Sequence, residues 1–237
     1  TRRRIRARVA MLPALKGRLP LEPIVGIATF PADGVDLGRL LRVSKHRSEQ
    51  SRRGVHRRLD LSAQGFWDAI DRLVGPDVPV ARADDGTLTL TPELMRVQDD
   101  LTRHAILSDD LVVRIATRVA EDAVRFRAPG SMYVAGDDTI AGIVAAAIDA
   151  AEQGPLRAWV LGEATGPGER IRLAVTDARI GRESIMLTLG DLGGYVLIAR
   201  TLGDGHSLVF HSSDLDLVEG LVTAFQQTYH LQPEVFD

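Results

Sequence analysis

The chain has 237 residues, 45% apolar and 26% charged, with no cysteine and no apolar run near the ~20 residues that cross a bilayer. That is the composition of an ordinary globular protein, and it excludes disulfides, zinc–thiolate sites and thiol chemistry. The net charge of −3 hides an asymmetry. Residues 1–58 hold 15 Arg and Lys against 4 Asp and Glu, a net of +11; the remainder holds 14 against 28, a net of −14.

Residues 2–11 read as the end of a helix and 13–20 as a loop. No apolar core follows the arginine-rich first ten residues, so no signal peptide is expected and the expected location is cytoplasmic. Residues 23–30 predict a strand, because Ile24, Val25, Ile27, Ala28 and Phe30 form a near-continuous apolar run. Pro31-Ala-Asp-Gly34 has turn chemistry, and Asp36 is placed to cap a helix over 37–53. The first turns of that helix carry Leu37, Leu40, Leu41 and Val43. Beyond Ser44 it has no apolar stripe, so that end belongs in solvent or against another element.

Residues 59–130 read as mainly helical. Phe66, Trp67, Ile70, Leu73 and Val74 have helical spacing, and Gly75-Pro76 stops them. Residues 80–90 hold Asp84-Asp85-Gly86 between two β-prone pieces and predict a hairpin. Thr91-Pro92 opens a helix presenting Leu94, Val97, Leu101 and Ile106; Ser108-Asp-Asp opens another, with Leu111, Ile115, Val119 and Val124 on its apolar face. Residues 131–237 read as a separate unit. A strand over 132–135 precedes a helix with Ile140, Ile143, Val144 and Ile148. Strands follow over 156–164, 170–178, 184–189, 195–202 and 207–211, separated by glycine turns that favour antiparallel neighbours. A last amphipathic helix covers 215–229. The fold class is therefore α/β in the α+β sense: a mainly antiparallel sheet flanked by helices, in an order generally like GAF or profilin sensory modules. The expected division is 1–58, 59–130 and 131–237.

The run Ile24-Val-Gly-Ile-Ala-Thr-Phe-Pro-Ala-Asp-Gly34, followed by Leu40-Leu41 and a helix closing at Gly54, resembles the end of a GGDEF domain, the diguanylate cyclase fold. The family's "SIG(I/V)A.FP.DG" strand and turn are matched over residues 24–34. In its "LL..AD.ALY.AK..G" helix, Lys45 stands at the Asp position, Glu49 near the Tyr and Arg52 near the Lys that helps hold phosphates. The match covers residues 2–54, and no GG(D/E)(E/D)F signature occurs. The resemblance implies bacterial signal transduction with a degenerate GGDEF domain and no cyclase activity. It also implies a chain continuing upstream of Thr1, or a strand edge covered by another chain or by residues 59–130.

Other constellations carry little chemistry. Clustered arginines attract phosphates, so the basic region suggests nucleic acid; with no interleaved aromatic and no recognition motif, a solvated helix face or pairing with the acidic half is the plainer reading. His206 and His211 sit five apart on a strand and so face opposite ways, which argues against a shared metal. Gly162–Gly168 lies between strands and reads as a hairpin turn rather than a phosphate loop. Asp99-Asp100, Asp109-Asp110 and Asp137-Asp138 fit helix starts, and Ser212-Ser213-Asp214 fits a helix cap. Trp67 and Trp159 read as core. Should the last unit bind a small molecule, Trp159, Leu161, Leu173, Tyr195 and Phe210 are the expected lining, with Arg52 as a phosphate contact in the basic region.

The expectation is a non-catalytic regulatory protein, without cofactor or metal, that binds a protein partner or a small ligand. Alternatives are a nucleic-acid-binding transcriptional regulator using the basic N-terminal region, and a nucleotide or cyclic-dinucleotide binder without cyclase activity. A missing N-terminal domain or a homodimer is a further expected partner; a membrane is not.

Overall fold

The computed structural model describes residues 24–61, 64–75, 80–125, 130–136, 156–161, 171–174, 177, 179–180, 183–190 and 193–231. The helix read over 140–148, the segments 2–11 and 13–20, Asp137-Asp138 and the glycine stretch 162–168 lie outside them. The fold is α+β. Helix α1 (Leu37–Arg53) leads into the short α2 (Val55–Arg58), then α3 (Phe66–Val74), the hairpin β1 (Val80–Arg82) and β2 (Leu88–Leu90), and α4 (Pro92–Val97). Strand β3 (Thr102–Ser108) and helix α5 (Asp109–Arg125) follow. The remaining elements are β4 (Gly130–Ala135), β5 (Leu156–Leu161), β6 (Ile171–Ala174), β7 (Glu183–Gly190), β8 (Gly193–Gly203), β9 (His206–Ser212) and α6 (Leu215–Thr228).

Seven strands form one sheet in the order β3-β9-β8-β7-β4-β5-β6, and β1-β2 form a second, two-stranded sheet. Pairing is antiparallel from β3 through β4 and parallel between β4, β5 and β6. Parallel neighbours cannot be joined by a tight turn, so β5 and β6 are not the hairpin expected from the glycines between them.

Both sheet faces are buried, and the strand period of two divides the apolar residues between them. One face carries Tyr133, Trp159, Leu187, Ile198 and Phe210, packed with α3 and α6. The other carries Met132, Val134, Val160, Leu197 and Val209, packed with α5. On the first face Phe225 of α6 meets Phe66 of α3 (4.9 Å between centroids), Tyr133 of β4 (5.4 Å) and Tyr229 (4.9 Å). Tyr133 stacks on its register partner Trp159 at 4.8 Å and 11°. The hydroxyl of Tyr229 accepts Trp67 Nε1–H at 3.1 Å, so this indole is core with its one donor satisfied.

Side chains of β3 and β8 complete the C-terminal end of α3. His104 Nε2 bonds the Leu73 carbonyl at 2.7 Å, and Arg200 Nη1 donates to the Gly75 carbonyl at 3.0 Å. Arg200 also forms a buried ion pair with Glu183 on the adjacent strand.

Two expectations are corrected. Residues 24–29 belong to no strand. Their carbonyls turn instead to α1: Gly26 O accepts from Ser44 Oγ at 2.8 Å and Ile27 O from Arg47 Nη1 at 2.7 Å. A Cβ on Gly26 would fall within contact distance of the Ser44 carbonyl, so the segment rests directly on the helix backbone. A short apolar run does not by itself decide that a neighbouring strand exists. Secondly, the helix expected to reach Ile106 stops at Val97, and residues 102–108 are an edge strand paired with β9. Gln98 is already extended, Asp99 turns the chain by accepting the Leu101 N–H, and Thr102 and His104 alternate with Arg103 across the sheet. Helix α5 buries Val112, Ala116 and Ala120, and the expected Ile115, Val119 and Val124 pack half-buried against the same cluster.

The packing around His104 makes stability pH-dependent. Burial lowers its pKa from 6.5, and Nδ1 has no hydrogen-bond partner. The folded state therefore holds the ring neutral, while the unfolded chain takes up a proton below about pH 6.5. This contribution to stability is intact above that value and is lost as pH falls toward the depressed pKa. His104→Gln, which keeps a donor for Leu73, should flatten the fall in urea midpoint between about pH 7.5 and pH 5. An unchanged pH profile would show that His104 does not govern it.

Candidate functional site: a groove along the basic helix

Helix α1 starts where Asp36 accepts the Arg39 N–H at 2.8 Å, as its sequence predicts, and runs for 17 residues with Ser51 as its one buried member. Five arginines, Lys45 and His46 share it with a single acid, Glu49. At 100° per residue Arg39, Arg42, His46 and Arg53 fall on one stripe, with Gln50 beside them. Two clefts open along it. The first, about 470 Å³, is lined by Asp33, Arg39, Arg42, His46, Arg47 and Gln50, among others. The second, about 330 Å³, shares His46 and Gln50 and adds Glu49, Arg53, Asp99, Asp100 and Asp214. The groove is thus cationic at the start of α1 and mixed at its end.

The cationic end is braced by Asp33. Arg47 holds both its oxygens at 2.7 Å, and Thr29 N–H donates to it at 2.7 Å. These bonds, Arg47 foremost, keep the Asp33 carboxyl below the usual carboxylate range. Arg39 Nε donates to the Asp33 carbonyl at 3.1 Å, and Arg39 and Arg42 both line the cleft.

At the other end α1 meets the start of α6. Ser51 Oγ donates to Asp216, and Asp214 caps α6 by accepting the Asp216 N–H at 3.0 Å. Gly54 ends α1 in extended backbone, and any side chain there would strike Asp214 Oδ2. Burial, followed by the neighbouring charge of Asp216, raises the Asp214 pKa from 3.8 to about 6.

Of the residues singled out from sequence, Arg52 is exposed in the last turn of α1, outside both clefts. Trp159 and Phe210 are 6% and 0% exposed within the aromatic core, and Tyr195 packs toward the opposite face near His211. They do not line a common cavity: the described sheet faces are filled by the protein's own helices. Leu161 is also core, and nothing is described of the Leu173 side chain. His206 is exposed, with Nδ1 at 2.9 Å from the Asp204 carbonyl, while His211 packs by Tyr195. Among the described residues no group of three metal-capable side chains gathers. Sequence reasoning missed His46, Arg53 and Asp99 as neighbours. Asp99-Asp100 read as a helix start, whereas they turn the chain into β3 and face α1. The opposite charges of the two chain halves were the available signal.

No helix among the described residues is long and apolar enough to cross a membrane. No family model matches the chain, and no curated protein matches it. Among solved structures, it resembles TrmBL2, an archaeal chromatin protein described as showing a novel mode of DNA binding, at 15% identity and a TM-score of 0.38 over 86% of this chain and 76% of that one. It also resembles a polyphosphate kinase from Porphyromonas gingivalis, at 13% identity and a TM-score of 0.31 over 46% of this chain and 20% of that one. Both scores are too low to assign a shared fold or function.

Asp214 offers a direct test of the junction. With a folded pKa near 6 against 3.8, its contribution to stability is full at low pH and is lost as pH rises through about 6. Asp214→Asn keeps the cap, so above pH 6 it should stabilise the fold by ~1–3 kcal/mol, with no gain below about pH 4. Urea unfolding at the two pH values measures this; equal effects at both would refute the burial account.

Proposed function

We propose that the protein is a non-catalytic regulatory protein that acts by binding, and that its ligand is a polyanion, nucleic acid foremost, held along α1. The observation behind this reading is the exposed stripe of Arg39, Arg42, His46 and Arg53 beside a cleft whose N-terminal part is cationic. Arginines on a helix face pair with phosphates and displace counterions, a contribution that needs no base-specific contact. The filled faces of the sheet favour this over a small molecule lodged on Trp159, Tyr195 and Phe210. The large sheet then serves as the scaffold that presents α1.

Binding of a short fluorescent DNA duplex, followed by anisotropy across a salt series, tests the reading. The wild type should bind at low salt, with log affinity falling linearly against log salt. Arg39→Gln with Arg42→Gln should weaken binding roughly tenfold and lower the slope by about 2, near 0.9 per lost phosphate contact. Absence of binding at low salt, or an unaffected double variant, would remove the proposal.

A further inference from the structure

Resting on the polyanion reading, a second property follows from the groove's uneven charge. Three carboxylates from outside α1 (Asp99, Asp100 and Asp214) line the cleft that holds Arg53, with Glu49 of α1 itself and His46 completing its charged wall. Asp214 is buried and committed to capping α6, but Asp100 is exposed and Asp99 half-exposed at the mouth. The carboxylates and Arg53 line one cleft of about 330 Å³, so they act on the same approaching group. A phosphate approaching this end meets carboxylates as well as the guanidinium. At the other end Asp33 is already occupied by Arg47, so Arg39 and Arg42 meet no such opposition.

We propose that Asp99 and Asp100 are a built-in competitor for the polyanion: they neutralise Arg53 across the cleft and confine phosphate binding to the first turns of α1. The turn between α4 and β3 thus sets both the affinity and the footprint of the site, in the manner of an autoinhibitory contact.

Asp99→Asn with Asp100→Asn removes the charge, and the amide introduced by Asp99→Asn retains a side-chain oxygen for the Leu101 N–H. In the same duplex assay this variant should bind about three- to tenfold more tightly at low salt, with a slope steeper by about 0.9, one added phosphate contact. Arg53→Gln added to the aspartate variant should abolish the gain. Thermal melting of each variant checks that the fold is intact. Unchanged affinity in the aspartate variant, or a gain that survives Arg53→Gln, would overturn the competition. If Arg39→Gln/Arg42→Gln weakens binding while the aspartate variant matches wild type, this inference alone fails. If no variant or wild-type protein binds the duplex, the polyanion reading fails as well.

Discussion

The contact of Phe225 with Phe66, Tyr133 and Tyr229 is the point on which the architecture turns. Through it one side chain of α6 joins α3, the middle of the large sheet and the end of its own helix. Tyr133 extends the cluster by stacking on Trp159 and accepting from Gln226, and Trp67 joins through Tyr229. Aromatic side chains bury large areas with few rotatable bonds, so such a cluster fixes relative positions as well as adding burial energy. With α6 set against the sheet, its N-terminus stands where Ser51 and Gly54 reach it.

The placement of charge follows from that arrangement. Helix α1 is polar on almost every side, and such a helix gains little from burial. It is held by its last turn on α6 and by the segment 24–29 laid along its middle, so its arginine stripe stays open to solvent. Among the described residues, carboxylates from outside the helix line the groove at its C-terminal end, through Asp99, Asp100 and Asp214.

Much of this was legible beforehand. Helix α1, its Asp36 cap, the 80–90 hairpin, the Pro92 start and the last helix each rest on local signals, a cap, a turn or a 3.6-residue period, that tertiary context did not override. Strands β7, β8 and β9 were equally plain, because alternating burial on two covered faces gives them long apolar runs between glycines. Residues 24–29 and 102–108 misled for opposite reasons. The first is apolar and β-prone but finds its partners on a helix; the second continues a helical spacing from Leu94 by coincidence, and its strand identity comes from β9, over a hundred residues away. The groove was hidden for the same cause. Its walls come from α1, the turn before β3 and the cap of α6, and no local pattern joins them. The aromatic residues show the converse: Trp159 read as core from its apolar context, but sequence does not say which helix will cover a sheet face.

The ion pair of Glu183 and Arg200 constrains how such a sequence can drift. Both side chains are buried on neighbouring strands, beneath the end of α3 whose Gly75 carbonyl Arg200 also holds. Losing either partner strands a charge away from water at a cost of about 3–5 kcal/mol, whereas exchanging both for well-packed apolar groups is close to neutral. Divergent copies of this fold are therefore expected to keep the acid and the base together or to have replaced them in concert, and that covariation would mark a common descent that overall identity no longer reveals.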